Sequence, residues 1–458
     1  MRRWTLAATL AAVGLGCAFF VAGYPTVIYD SWGYYYLAGI LRTTGLGGWP
    51  TDTRTFGYPL FQALVTGWRA LPAEEFRLVV FAAQLAAWLG VSAAAARRLA
   101  AVFESPRIGA AAYVISALNP VLLIQTTEPL SDLISAALIL AALSCSWRAP
   151  GETDRAAAWH AFVAFLAAGT AVMIRPGNIA VVGGLALVWV IRALRWRDVG
   201  VRQAIAALAG IVPPFLPQIA MNHRLYGTWN PLIQKNLYSL QTTWGMAAIK
   251  YATLVAGERS PFLVYGNPLF RGDLSPGAFL RHHPLGYAGT LLLHGFALLD
   301  RDLPFTYVTD LSPWYRWPVA SVNFLLLYLA AAGTAAVLWR GFAKQRLDER
   351  TFVALSAVLV GGAYVALYLP VEVESRFGVA IQALAAPLIV AGAAALSGST
   401  VRQRRARFLV LTVGPFALAS AVLLSAWITR QRTNPFVESP ANASVMGPTR
   451  RHRPAAKP

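Results

Sequence analysis

Charge is scarce in this chain. Asp, Glu, Lys and Arg make up 13% of its 458 residues, where soluble domains carry roughly 25%. Apolar side chains fill 57% and the mean hydropathy is +0.52. Several apolar runs reach the roughly 20 residues a helix needs to cross a bilayer. A soluble domain is excluded, and a polytopic membrane protein is expected. Acids are scarcer still, 20 against 39 Lys and Arg, for a net charge of +19. Gathered in one patch, that surplus would fit nucleic acid. Instead Arg2-Arg3, Arg97-Arg98, Arg192 to Arg202, Arg340 to Arg350 and Arg402 to Arg407 recur after every second apolar run. This is the positive-inside pattern of cytoplasmic loops, and no nucleic-acid partner follows.

Cysteine is nearly absent. Cys17 and Cys145 each lie inside an apolar run, which excludes a disulfide framework and a cysteine metal cage. Leu15-Gly16-Cys17 loosely resembles a lipoprotein cleavage site and Arg2-Arg3 a twin-arginine signal, but the N-terminus reads as an uncleaved first span. Glycine-rich nucleotide loops, P-loops and Ser-His-Asp signatures are missing. His282-His283 is adjacent rather than at chelating spacing, so no metal site is expected there.

What remains is helix, loop and aromatic. The expected fold is an all-α bundle of about 11 transmembrane helices over residues 1–428. A first periplasmic loop (24–75) and a long one (222–318) each carry interfacial helices. Ser31 to Leu41 is expected to be an interfacial helix, Gly57 to Leu71 a second short helix, and Pro284 to Leu299 an interfacial or re-entrant one. Ile108 to Gln125 reads as one outward span and Pro129 to Trp147 as the next inward one. Trp32, Tyr34, Tyr35 and Tyr36 suit a headgroup-level belt. The basic, Pro-rich tail (429–458) is expected to be disordered.

In this topology eight charged groups fall at the outer ends of spans: Asp30, Arg54, Glu128, Asp132, Arg175, Glu372, Glu374 and Arg376. Ionisable groups near membrane depth are costly, so each implies a cavity or a partner. Asp30 reads equally as a helix N-cap and as a general base whose pKa burial has raised. Arg54 is a phosphate ligand or a snorkelling interfacial arginine. Glu128 is a helix N-terminal acid or a site residue, with Asp132 four residues on along the same helix. Arg175-Pro176 reaches lipid phosphate or caps carbonyls. Glu374-x-Arg376 is a local ion pair, or one acid and one phosphate ligand.

Taken together, Asp30-Ser31-x-x-Tyr34, Arg54-x-x-Gly57-Tyr58-Pro59-Leu60, Glu128-Pro129-Leu130, Arg175-Pro176, Asn222-x-x-x-Tyr226-Gly227 and Glu374-x-Arg376-Phe377 resemble landmarks of the GT-C superfamily of membrane glycosyltransferases. The branch they resemble more closely contains protein mannosyltransferases and the aminoarabinose transferase of lipid A. The resemblance implies transfer of one sugar from a polyprenyl-phosphate donor to a lipid, glycan or protein acceptor at the periplasmic face of a bacterial inner membrane. It implies Asp30 as general base, Arg54, Arg175 and Arg376 as ligands of the donor phosphate, and Tyr34, Tyr58, Glu128 and Glu374 as further site residues. No cofactor is required by it, and a divalent metal stays open. Protein mannosyltransferases carry an acidic pair where this chain has Asp30-Ser31, which argues against a protein acceptor and metal-dependent chemistry. Two other readings stand beside it: a flippase of lipid-linked saccharides, and a polysaccharide ligase or polymerase.

Overall fold

The computed structural model describes residues 2–22, 29–196, 199–239, 241–242, 276–300, 315–344, 348–371, 373–397 and 400–430. Glu372 and all but the first two residues of the tail (429–458) lie outside them. Among the described residues the protein is all helix. In chain order the helices are α1 (Arg2–Ala22), α2 (Tyr29–Thr44), α3 (Gly57–Val65), α4 (Ala73–Val102), α5 (Pro106–Ala117), α6 (Pro120–Thr126), α7 (Ser131–Ser146), α8 (Asp154–Ile174) and α9 (Ile179–Trp196). They continue as α10 (Val201–Ile211), α11 (Leu216–Tyr226), α12 (Pro276–His282), α13 (Pro284–Leu299), α14 (Arg316–Lys344), α15 (Glu349–Tyr368), α16 (Val379–Leu396) and α17 (Val401–Arg430).

Nine of the described helical segments are long and apolar enough to cross a membrane, with α10 and α11 forming one of them. The expected straight span over Ile108 to Gln125 is instead two helices, α5 and α6, bent by 53°. Asn119 caps α6 by accepting a hydrogen bond from Val121 N at 3.0 Å, and Pro120 takes the first helical position. Cap and proline end one helix and start another. Counting this pair gives ten spans. The eleventh expected segment is α7, whose 16 residues rise only about 24 Å at 1.5 Å per residue, short of a full hydrocarbon core.

Because lipid is as apolar as Leu, close backbone approach rather than hydrophobic expulsion holds such helices together. The tightest crossings run over glycine. A Cβ on Gly392 of α16 would lie 2.1 Å from Gly333 Cα of α14, and one on Gly210 of α10 would meet Phe162 O of α8 at 2.3 Å. Gly392→Leu is therefore expected to force α14 and α16 apart and destabilise the bundle by about 1–3 kcal/mol or more. Thermal unfolding in detergent reads this as a lowered midpoint; an unchanged midpoint would deny the close crossing.

Buried amides satisfy one another across the core. Asn119 Nδ2 donates to Gln382 Oε1 (3.1 Å), Gln382 Nε2 to Asn323 Oδ1 (2.6 Å), and Asn323 Nδ2 to Leu299 O (2.8 Å). This chain ties the α5–α6 break to α16, α14 and the end of α13. Polar groups without water must find such partners.

Candidate active site

The C-terminus of α8 and the N-termini of α7 and α16 meet at one end of the bundle, beneath α2 and the loop after it. Asp30 sits in the first turn of α2, and both its oxygens accept from arginine. Arg54 Nη2 donates to Oδ1 at 2.6 Å and Arg376 Nη2 to Oδ2 at 2.7 Å. Arg376 stands in the 3₁₀ turn Ser375–Gly378 that leads into α16. Its Nε donates to Glu374 Oε2 at 2.6 Å, and its Nη1 lies 3.9 Å from Asp132 Oδ2. Arg175, just past the end of α8, donates to Asp132. Three carboxylates and three guanidinium groups thus alternate in one balanced cluster.

Exposure is graded through it. The side chains of Arg54 and Asp30 are 26% and 20% exposed, Arg376 is 11%, and Glu374 and Asp132 are 4% and 2%. An entering molecule meets Arg54 and Asp30 first, and the pair Asp132 and Glu374 forms the floor. Burial works against the Asp30 charge, but the charges and hydrogen bonds of Arg376 and Arg54 outweigh it and hold the carboxyl well below the usual carboxylate range. The sequence reading of a raised pKa by desolvation is overturned: two guanidinium groups win over burial. α2 starts at Tyr29, so Asp30 lies within its first turn and not at its N-cap.

Aromatic rings set the arginines in place. The Arg54 guanidinium lies 4.5 Å over the Tyr34 ring, and Trp49 Nε1 donates to Arg54 O at 3.1 Å. Arg175 lies 4.1 Å over Phe377 and 5.4 Å over Tyr368. Tyr34 meets Tyr58 edge-on at 4.9 Å, and the Tyr34 and Ser131 hydroxyls are 3.3 Å apart. Tyr58 is fully buried and donates to Gln84 Oε1 at 3.0 Å, while Gln84 Nε2 donates to Thr126 O and Glu128 O. The expected belt divides accordingly. Trp32 and Tyr36 are exposed, Tyr34 turns into the site, and Tyr35 donates to Leu71 O.

Glu128 joins this network from behind. It is buried, accepts from Gln125 at 3.2 Å, and is linked to Tyr58 through Gln84. The reading of Glu128 as a first-turn helix acid, with Asp132 on the same helix, is corrected. α7 starts at Ser131, so Asp132 is the first-turn acid and Glu128 lies before the helix. The structure sets Asp132 between Arg175 and Arg376. Its partners are distant in sequence, and only its place at a helix start hinted at it. Gln84, a neutral amide within an apolar run, carried no such hint.

The long loop begins against the first. Asn222 Nδ2 donates to Asn230 O and Leu232 O at 2.7 and 2.6 Å, and the N–H groups of Gln234 and Lys235 donate to Asp52 O, two residues from Arg54. A divalent cation finds no ready seat in this cluster. Asp30, Asp132 and Glu374 each turn oxygen to a guanidinium group. Among the described residues no group of three or more His, Cys, Asp or Glu could hold a metal ion. These residues do not fit a metal.

No family model and no curated protein matches the chain. Solved structures do match it in fold. The archaeal oligosaccharyltransferase AglB from Archaeoglobus fulgidus, in complex with an inhibitory peptide and a dolichol-phosphate, gives a TM-score of 0.50 at 13% identity over 95% of this chain and 56% of that one. The Archaeoglobus fulgidus oligosaccharyltransferase in its apo form gives 0.53 at 12% identity, over 96% and 59%. The chain thus spans less than two thirds of the length of these proteins. At such identity the likeness is one of fold: the protein is an all-α polytopic membrane protein whose fold is shared with these solved structures.

Proposed function

We propose that the protein transfers a sugar from a polyprenyl-phosphate-linked donor to an acceptor of the cell envelope, at the periplasmic face of a bacterial inner membrane. The observation that carries this reading is the accessible Asp30 carboxylate held between Arg54 and Arg376. The dolichol-phosphate in the AglB complex and the shared fold support a lipid-phosphate donor, and Asp30-Ser31 supports a lipid or glycan acceptor over protein.

The chemistry follows from the two kinds of group. Guanidinium grips phosphate with paired hydrogen bonds and stays charged at low dielectric. Arg54 and Arg376 hold the donor phosphate, with Arg175 behind them. The acceptor oxygen or nitrogen attacks the anomeric carbon, and the bond from that carbon to the phosphate oxygen breaks. Its electron pair stays on the phosphate, where the arginines stabilise the growing charge. The acceptor's proton goes to Asp30. In the free protein the same arginines mask Asp30 as a base. A phosphate that draws them away raises the Asp30 pKa at the moment a base is needed.

The test is reconstitution into proteoliposomes with a radiolabelled polyprenyl-phosphate sugar. The expected result is label in an acceptor fraction. Label that crosses the bilayer uncleaved would replace the transferase with a flippase. Arg54→Ala is expected to weaken donor binding about tenfold to a hundredfold, the size of a lost hydrogen bond to a charged group at ~1.5–3 kcal/mol. Unchanged donor affinity in this variant would remove Arg54 as a phosphate ligand.

A further inference from the structure

Arg175 and Arg376 ride on turns of one kind. Arg175 leads into the 3₁₀ turn Pro176–Asn178 ahead of α9, and Arg376 stands in the 3₁₀ turn Ser375–Gly378 ahead of α16. Each arginine has a glycine two residues on, Gly177 and Gly378. Neither is a positive-φ glycine, so any residue could take the backbone, and only space calls for glycine. A Cβ on Gly378 would run into Leu298 O at the end of α13. One on Gly177 would land on the Tyr368 hydroxyl oxygen, 3.0 Å from Cζ. Asn178 fastens the first of these turns from inside. It is fully buried, and its Nδ2 donates to Ser135 Oγ of α7 and, at 2.7 Å, to Ala171 O of α8. The turn is tied to two helices and has little freedom to roll away from Tyr368.

Tyr368 ends α15 and stands between the two turns. Its ring centre lies 4.6 Å from that of Tyr364 and 5.2 Å from that of Phe377, and the Arg175 guanidinium lies 5.4 Å from it. Tyr364 Oη donates to Phe377 O at 2.9 Å, which fixes the Arg376 turn to the same helix end. Tyrosine is a rigid side chain, and this one is buried with a ring on two sides and a guanidinium over it, so it has no empty space to turn into. A methyl group added at Gly177 must therefore displace the Arg175 turn, or push the Tyr368 ring against Arg175 and Phe377. Arg175 donates to Asp132, and Arg376 Nη1 lies 3.9 Å from the same carboxylate. What shifts in either case is the spacing of two guanidinium groups about one acid.

We propose that Tyr368, seated on Gly177, is a positioning residue that fixes the spacing of Arg175 and Arg376. Its consequence for donor binding rests on the transferase reading above; its geometry does not. The ligand-free test is a double-mutant cycle, read by thermal unfolding of the full-length protein in detergent. Gly177→Ala and Arg175→Lys each lower the midpoint. Together they lower it by clearly less than the two losses added, because a displaced Arg175 has already lost its hold on Asp132. Gly392→Ala, at the close crossing near the other end of α16, also lowers the midpoint but adds fully to Arg175→Lys. Tyr368→Phe removes the atom that the new Cβ would meet and keeps the ring. Gly177→Ala combined with Tyr368→Phe therefore regains most of the midpoint that Gly177→Ala loses.

A titration of the same variants with polyprenyl phosphate, carrying no sugar, reads the consequence. Gly177→Ala is expected to bind it about tenfold more weakly, as for one hydrogen bond lost to a charged group. The added Tyr368→Phe restores the affinity, and Gly392→Ala binds as the unaltered protein does. If the unaltered protein binds no polyprenyl phosphate, the lipid-phosphate reading falls, and the unfolding cycle alone decides the positioning role. Additive losses in that cycle overturn the proposal. So does any defect of Gly177→Ala, failure to fold included, that Tyr368→Phe does not relieve.

Discussion

Asp30→Asn is expected to bind the donor and leave it uncleaved. The turnover number should fall by about 10²–10⁴, the usual worth of a positioned general base. Donor affinity should hold or tighten, because the amide no longer competes with phosphate for Arg54 and Arg376. Equilibrium binding of the labelled donor and single-turnover transfer separate the two effects. Normal turnover in this variant would remove Asp30 as the base. The masking arrangement adds a pH signature. In the free protein the Asp30 carboxyl is held well below the usual carboxylate range. It is therefore ionised throughout the neutral and mildly acid region, and kcat/KM should show no acid limb from it there. Once phosphate occupies the arginines, the carboxyl titrates higher, so kcat should acquire an acid limb at a pH above any in kcat/KM. Unfolding does not mimic this limb. A carboxyl with a depressed folded pKa contributes stability that is fully present above its unfolded value of ~3.9, and loses it only as pH falls towards the folded pKa. Coincident limbs in the two profiles would sink the masked-base mechanism.

Much of the ionic cluster is legible in the sequence because charge is so rare in it. Asp30 and Arg376 are 346 residues apart, yet Asp30 stands out as an isolated acid and Arg376 as part of a short charged run, each at the end of an apolar run. Which acid meets which arginine is set by helix crossings and could not be read. Asp132 looks like any first-turn helix acid until α8 brings Arg175 to it. Glu374-x-Arg376 presents a choice between local pair and phosphate ligand; the local pair is there through Nε, while Nη2 reaches Asp30. The spans are legible by length and hydropathy. The break between α5 and α6 was signalled by Asn119-Pro120, but a continuous apolar count runs straight through it. Gln84 and Gln382 tie helices together through neutral amides, which pattern reading treats as noise among Leu and Ala.

Arg376→Met should cost more stability than any other change at the site. This guanidinium contacts Asp30 and Glu374 at hydrogen-bond distance and stands 3.9 Å from Asp132. Removing one partner of a buried pair costs about 3–5 kcal/mol, since the opposing charge is left in low dielectric. Asp30 keeps Arg54 and Asp132 keeps Arg175, while Glu374, at 4% exposure, loses the hydrogen bond from Arg376 Nε. Arg376→Lys should recover only part of it, because a single ammonium cannot span the acids that a planar fork reaches. The decisive variant is the double one, Arg376→Met with Glu374→Gln. Taking away both charges removes the buried imbalance, and the unfolding midpoint in detergent should climb back towards that of the unaltered protein. Transfer should stay lost, because the phosphate still lacks its deeper guanidinium. If the double variant recovered transfer along with stability, Arg376 would be a strut between helices and Arg54 would be left to hold the donor alone.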